Sequence, residues 1–372
     1  MTTEEEKVQT TAPPEPDVQE PEGLDEDEPV ELGDYPIDSL MIRTDKRSAF
    51  EVCRRIDKKV YILDPEFQRD FIWDEEKQCK LIESAIMRIP LPVFYLAETA
   101  EGEIVVVDGL QRLSTFHRFI NNKLRLNGLE YAKILNGKRF DDLSPKLRNR
   151  VEDTSFTLYL IDSQVPEQAK LDIFERVNSG QPLTKQQMRN CLYLGDATRW
   201  LARMAKSEAF KSATDGGLNW KTMRDRECIN RFLAFYDRGL KGYSGNMDNF
   251  LRDVLKDKQN VDEAYWNEMS ERFKTSMEAG KRIFGRNAFR KPTKEGERRS
   301  VINVALFDVL SVLFARYGEQ VQPRHDEAIR NGLAQLAEDA DFFDAISIAT
   351  NSVKKVALRF ERTEKMLKEV LQ

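Results

Sequence analysis

The residues best suited to chemistry lie in one stretch, VVVDGLQRLSTF, from Val105 to Phe116. Three β-branched residues read as a buried strand, Asp108 and Gly109 break it, and helical spacing begins at Leu110 with Leu113, Phe116 and Ile120 on one face. A strand that enters a helix through a glycine presents backbone N–H groups at the helix start, and these, with the helix dipole, attract anions. Arg112 falls in the first turn, where a guanidinium can clamp a phosphate through two parallel hydrogen bonds. Ser114 and Thr115 add hydroxyls. The chemistry expected is phosphate binding, although an ordinary strand–turn–helix junction with a solvated arginine fits the same residues. No G-x-x-x-x-G-K-[ST] loop occurs. Asp108, at the strand end, suits a magnesium ligand or general base, and equally a cap on the helix that follows. Gln111 can hold a water or a nucleotide edge, or face solvent.

Two further groups stand out. Gln68 and Arg69 sit among Phe67, Phe71 and Trp73. Arg69 is a second anion clamp, and the rings suit stacking on a base, at ~1–3 kcal/mol per stack in single-strand binders, or anchoring a core. In FERVNSG, Phe174–Gly180, Arg176 and Asn178 close a helix, with Asn178 also suited to a left-handed C-cap. Neither a Ser/His/Asp nor a Cys/His arrangement is evident. With two histidines, His117 and His325, and four scattered cysteines, a zinc site or HNH centre is not expected.

The elements that must position these groups read as follows. A helix capped by Asp74 carries the stripe Leu81, Ile82, Ala85, Ile86 and Ile89 and stops at Pro90. Pro92–Ala97 is a strand that pairs with Glu103–Val107 across Gly102. Ser144 and Pro145 open another helix, Phe156–Ile161 is a strand, and Pro166 opens a helix through Val177. Pro65–Trp73 reads as a loop, while Pro36–Ile42 and Val60–Leu63 are short pieces of either type. Thr184 and Gln187 have capping-box spacing. Beyond residue 184 the pattern is helical: 185–206, 222–238, 247–258, 262–284, 301–316, 325–337 and 351–371.

The fold class expected is therefore α+β at 35–183 followed by an all-helical domain at 184–372. Residues 1–34 carry 13 acidic side chains and one lysine, with few large apolar residues, and are expected to be a disordered acidic tail. The other 338 residues hold 57 basic and 51 acidic side chains, so the formal charge of −6 conceals a mildly basic body suited to an anionic ligand. Lys291–Arg299 is an exposed basic loop and a candidate DNA contact. No apolar run approaches the ~18 residues of a membrane span. No secretory signal is evident, so a cytoplasmic protein with reduced thiols and no membrane partner is expected.

Taken in order, FQRDFIW, IPLPVFYLAE, VVDGLQRLSTF and IFERVNSGQPLT resemble the N-terminal domain of GmrS/GmrD-type restriction proteins, whose DGQQR hallmark corresponds to Asp108–Arg112. INVALFDVLSVLF, Ile302–Phe314, is similar to the family's helical part. The resemblance covers roughly 35–320. It implies a ParB/sulfiredoxin-like fold and a nucleoside triphosphate site linked to restriction or phage defence. The implied site comprises Asp108 and Arg112 as catalytic residues, and Gln68, Arg69, Gly109, Gln111, Ser114, Thr115 and Asn178 around the nucleotide. Asp108 would hold Mg2+. Leu110 stands where the family has its first Gln, which removes one polar contact. The family's nuclease signature contains a histidine, and the C-terminal half offers only His325, so autonomous HNH cleavage is not expected and a nuclease would be a separate chain or absent. Oligomerisation through the helical domain is compatible with this reading. Two alternatives are a non-catalytic DNA-binding module and a ParB-like metal-dependent nuclease using Asp108.

Overall fold

The computed structural model describes residues 20–23, 41–63, 73–99, 102–177, 183–293 and 299–372. Its first part is built on five strands: β1 (Ile42–Ser48), β2 (Tyr61–Ile62), β3 (Phe94–Glu98), β4 (Ile104–Asp108) and β5 (Ser155–Ile161). They form one mixed sheet in the order β1-β5-β3-β4-β2. β3 pairs antiparallel with β4 and parallel with β5, while β1 and β2 close the edges. Helices α1 (Ala49–Asp57), α2 (Glu75–Ile86), α3 (Leu110–Ile120) and α4 (Pro145–Glu152) supply the side chains over one face.

β4 explains its own run of valines. Side chains alternate along a strand. Val106 joins Phe94, Leu96, Leu113, Phe116 and Phe156 in the core beneath α1–α4. Val105 and Val107 point to the other face, where α5 (Glu167–Val177) and α6 (Lys185–Leu192) close over them with Ala169, Phe174, Met188 and Cys191. A strand buried on both faces has no polar alternation to show.

The second part is helical, as expected: α7 (Asp196–Lys206), α8 (Glu208–Thr214), α9 (Arg224–Arg238), α10 (Met247–Asp257), α11 (Glu263–Phe284), α12 (Val304–Arg316), α13 (Asp326–Glu338), α14 (Ala340–Ala345) and α15 (Val353–Leu371). α12 is buried at every position from Val304 to Ala315 and packs against α9, α11 and α15. A helix buried on all sides belongs at the centre of its bundle.

Several expectations are corrected. The helix expected over 185–206 is two helices, separated at Tyr193–Gly195. β1 and α1 were not foreseen; α1 is set by a capping box between Ser48 and Glu51. α2 ends at Ile86 rather than Pro90, through N–H bonds from Arg88 to Ala85 and from Ile89 to Ser84. Those paired bonds are a Schellman motif, and Ile89 lies outside the helix, 47% exposed. Asp74 caps α2, and Thr184 with Gln187 forms the expected box. Ser144 precedes Pro145 at the start of α4 but makes no side-chain cap bond. Most of the acidic segment 1–34 lies outside the described residues. Residues 20–23 lie against the helical part, with Glu22 N–H donating to Ile302 O (2.8 Å) and Val304 N–H to Glu22 O (2.9 Å). Glu22 also pairs with Lys291.

Glu83 of α2 ties down the loop after α3. Its buried carboxylate accepts the N–H groups of Glu130 (3.3 Å), Tyr131 (2.8 Å) and Ala132 (2.7 Å). Burial alone would raise its pKa, but the three N–H groups outweigh that and hold it below the usual carboxylate range. The resulting stabilisation is present above the unfolded-state pKa and is lost as pH falls through the lower, folded value. Glu83→Gln is expected to cost about 1–3 kcal/mol at neutral pH. It should also flatten the acid-side fall in stability when urea midpoints are measured across the acidic range; an unchanged profile would refute the role assigned to these bonds.

Candidate functional site

The junction between β4 and α3 is made possible by Gly109. Its φ of 102° and ψ of 8° lie in the left-handed region, and a Cβ there would stand 2.3 Å from Phe94 Cδ1. Only glycine meets both demands. Among the described residues no side chain caps α3. Of the roles open to Asp108, the structure removes the cap: its carboxylate accepts Arg112 Nη2 at 2.7 Å instead.

Arg112 is held from three sides. Besides Asp108, its Nη1 donates to Pro92 O at 2.5 Å, and the guanidinium stands 4.4 Å from the centre of the Phe94 ring. A cation over a ring face is attracted by the quadrupole. The Arg112 side chain is 12% exposed and that of Asp108 is 33% exposed. Burial pulls the Arg112 pKa down, against the opposing pull of Asp108. The result is an oriented guanidinium–carboxylate pair at an uncapped helix start, the carboxylate being the more open partner.

Around this pair, the expected site residues divide into three groups. Gln111 is engaged, its Oε1 accepting the Trp73 backbone N–H at 3.2 Å. Trp73 O in turn accepts Gln78 Nε2 at 2.8 Å, so α2 and α3 jointly hold Trp73. Thr115 is fully buried, and its hydroxyl donates to Gln111 O at 2.7 Å, so it braces the first turns of α3 from inside. Ser114 is half-buried on the same helix. Gln68, Arg69 and Asn178 lie outside the described residues. Leu110, at the position of the family's first Gln, is buried in the core under the sheet. His117 pairs with Asp57 at 2.7 Å, away from the junction.

Pro92 and Phe94 are the site residues that sequence reasoning missed. Both lie in the strand segment PVFYLA, whose only signal was apolar, and both act through space on Arg112. Among the described residues, no group of three or more His, Cys, Asp or Glu side chains is placed to hold a metal. The four cysteines are buried free thiols. The loop Lys291–Arg299, of which 294–298 lie outside the described residues, has its ends engaged internally: Lys291 with Glu22, and Arg299 with Asp215. Among the described residues no helix is long and apolar enough to cross a membrane.

No curated protein matches the chain. Residues 50–194, which run from α1 to the end of α6 and contain the whole Asp108–Arg112 junction, match the family model of the GmrSD restriction endonuclease, N-terminal domain.

Proposed function

We propose that the β4–α3 junction binds a nucleoside triphosphate with Mg2+ and promotes its hydrolysis, as the nucleotide-dependent part of a DNA restriction or phage-defence system. The observation that carries this reading is the Asp108–Arg112 pair beside the uncapped start of α3. A helix start and an arginine together favour phosphate. Arg112 has five N–H donors, so its bonds to Asp108 and Pro92 are compatible with a further bond to a phosphate oxygen. The described residues fit Mg2+ in the manner usual for nucleotide sites, with one carboxylate from the protein and the remaining ligands from phosphates and water. Asp108 is that carboxylate, and Mg2+ would neutralise phosphate charge. Arg112 and the α3 N–H groups would stabilise charge developing on the transferred phosphoryl group. Gly109, Gln111 and Ser114 shape the phosphate end, while Gln68, Arg69 and Asn178 complete the nucleotide contacts. Thr115 acts from inside, through its bond to Gln111. A ParB/sulfiredoxin-like arrangement of the sheet and a DNA target acted on with a separate nuclease chain belong to the same reading.

The test is phosphate release from each of the four NTPs with Mg2+, with and without DNA, comparing wild type with Arg112→Ala. Release is expected to fall by about 10²–10³-fold, the usual effect of removing one transition-state donor. Because Arg112 also packs on Phe94, nucleotide affinity by calorimetry and the melting temperature should be read alongside. Unchanged release and affinity in a folded Arg112→Ala protein would overturn the reading.

A further inference from the structure

A cleft of about 640 Å3 opens between the α2–β3 loop, α4 and the adjoining ends of β1 and β5. Lys46, Arg88, Lys146 and Arg150 line it, against one carboxylate, Asp153, among the described residues. None of the four cations forms an ion pair among the described residues. That sets them apart from neighbours such as Arg47, which pairs with Asp45, and Arg112. Arg150 reaches Ile86 O through Nη1, and its Nε is buried without a hydrogen-bond partner.

Two of these cations occupy positions that local structure disfavours. Arg88 has φ 61°, the left-handed residue of the Schellman motif that ends α2, where glycine is the favoured choice. Lys146 lies in the first turn of α4, which contains no acidic residue, so its charge opposes the helix dipole. Residues that break local rules without a local benefit cluster at functional sites.

We propose that this cleft binds phosphate groups of a polynucleotide backbone, at a site separate from the Asp108–Arg112 junction. Exposed cations from three different elements, β1, the α2–β3 loop and α4, suit successive phosphates along a strand. Among the described residues no aromatic ring lines the cleft, so they offer no stacking platform for a base or for a free nucleotide. The hydroxyls of Ser155 and Thr157 and the Asn149 amide add neutral donors of the kind that contact phosphates. The polynucleotide contact thus falls on the α+β part, whereas the ends of the basic loop Lys291–Arg299 are neutralised within the chain. The stretch Arg88–Pro92 connects the two sites, lining the cleft at one end and accepting Arg112 at the other.

The test uses the full chain and a labelled mixed-sequence DNA duplex, with anisotropy titrations over a range of salt. Combining Lys46→Gln, Arg88→Gly and Lys146→Gln is expected to weaken binding at least about ten-fold near 0.1 M salt and to make the log–log salt slope shallower by about 2 to 3. Arg88→Gly places the favoured residue at a left-handed position, so this single variant should stay folded and still lose part of the affinity. Wild-type affinity and slope in the triple variant would overturn the proposal, as would absence of DNA binding by wild type at low salt. Loss of NTP affinity with DNA affinity kept would likewise overturn the polynucleotide assignment. Phosphate release dependent on Arg112 is read independently, so failure of either site leaves the other standing.

Discussion

Asp308→Ala is expected to unfold or nearly unfold the helical part of the protein. Asp308 lies on α12 and is wholly buried between Arg231 of α9 and Arg359 of α15, both also wholly buried. Arg231 grips it bidentately, Nε to Oδ1 at 2.8 Å and Nη2 to Oδ2 at 2.6 Å, and Arg359 Nη2 reaches Oδ2 at 3.0 Å. Asn351 Oδ1 and the Thr350 carbonyl take further guanidinium N–H groups. Burial pulls both arginines down in pKa. Asp308 more than offsets this for Arg231, while Arg359 stays below its usual value. Two cations thus share one carboxylate in a core, and removing it leaves both uncompensated. Breaking one buried pair costs about 3–5 kcal/mol, and a whole domain has about 5–15 kcal/mol in hand. Urea unfolding followed by circular dichroism measures the loss. Arg231→Met, Asp308→Leu and Arg359→Met combined should recover much of it, because apolar side chains carry no desolvation penalty. An Asp308→Ala protein within about 1 kcal/mol of wild type would show that the triad does not hold the bundle.

How far the sequence shows this fold depends on how local each cause is. α10, α11, α12 and α15 follow from periodicity and caps carried within their own segments, and they lie within two or three residues of their expected bounds. β1 does not: IRTDKRS has a single large apolar residue, and the segment is a strand because β5 pairs with it over its whole length. That partner is more than a hundred residues away. The break between α6 and α7 was hidden because the residues on both sides keep helical spacing; Tyr193 turns inward to the helical core instead. Ile89 keeps the spacing of the α2 stripe although it lies outside the helix, since nothing in the sequence announces an arginine as the left-handed residue that ends a helix.

The candidate site divides the same way. Asp108, Gly109 and Arg112 lie within one five-residue stretch, so a carboxylate, a glycine break and a cation at i+4 could be read directly. What they do to one another could not: the sequence reads Asp108 as a metal ligand or base or as a helix cap, and only the three-dimensional turn sends the carboxylate to Arg112. The Pro92 carbonyl and the Phe94 ring are brought in by the pairing of β3 with β4, a register that the sequence does not print.

Gly109→Ala puts that argument to its hardest test, and it should damage structure and site together. Non-glycine residues at φ near 102° bear a backbone cost of about 1–3 kcal/mol. The new Cβ would also stand 2.3 Å from Phe94 Cδ1 and 3.0 Å from Cε1, and overpacking of this kind costs about 1–3 kcal/mol more. Phe94 has little room to yield. It packs on Phe156 at 4.8 Å on one side and carries Arg112 at 4.4 Å on the other. Any shift of the ring therefore moves the guanidinium, and phosphate release should fall at least as far as in Arg112→Ala. The clash and the backbone cost separate in a double-mutant cycle with Phe94→Leu. If the ring is what the Cβ strikes, Phe94→Leu will cost less in the Gly109→Ala background than in wild type, with a coupling of about 0.5–3 kcal/mol. Strict additivity would assign the whole effect to the left-handed backbone and leave Phe94 as a support for Arg112 alone.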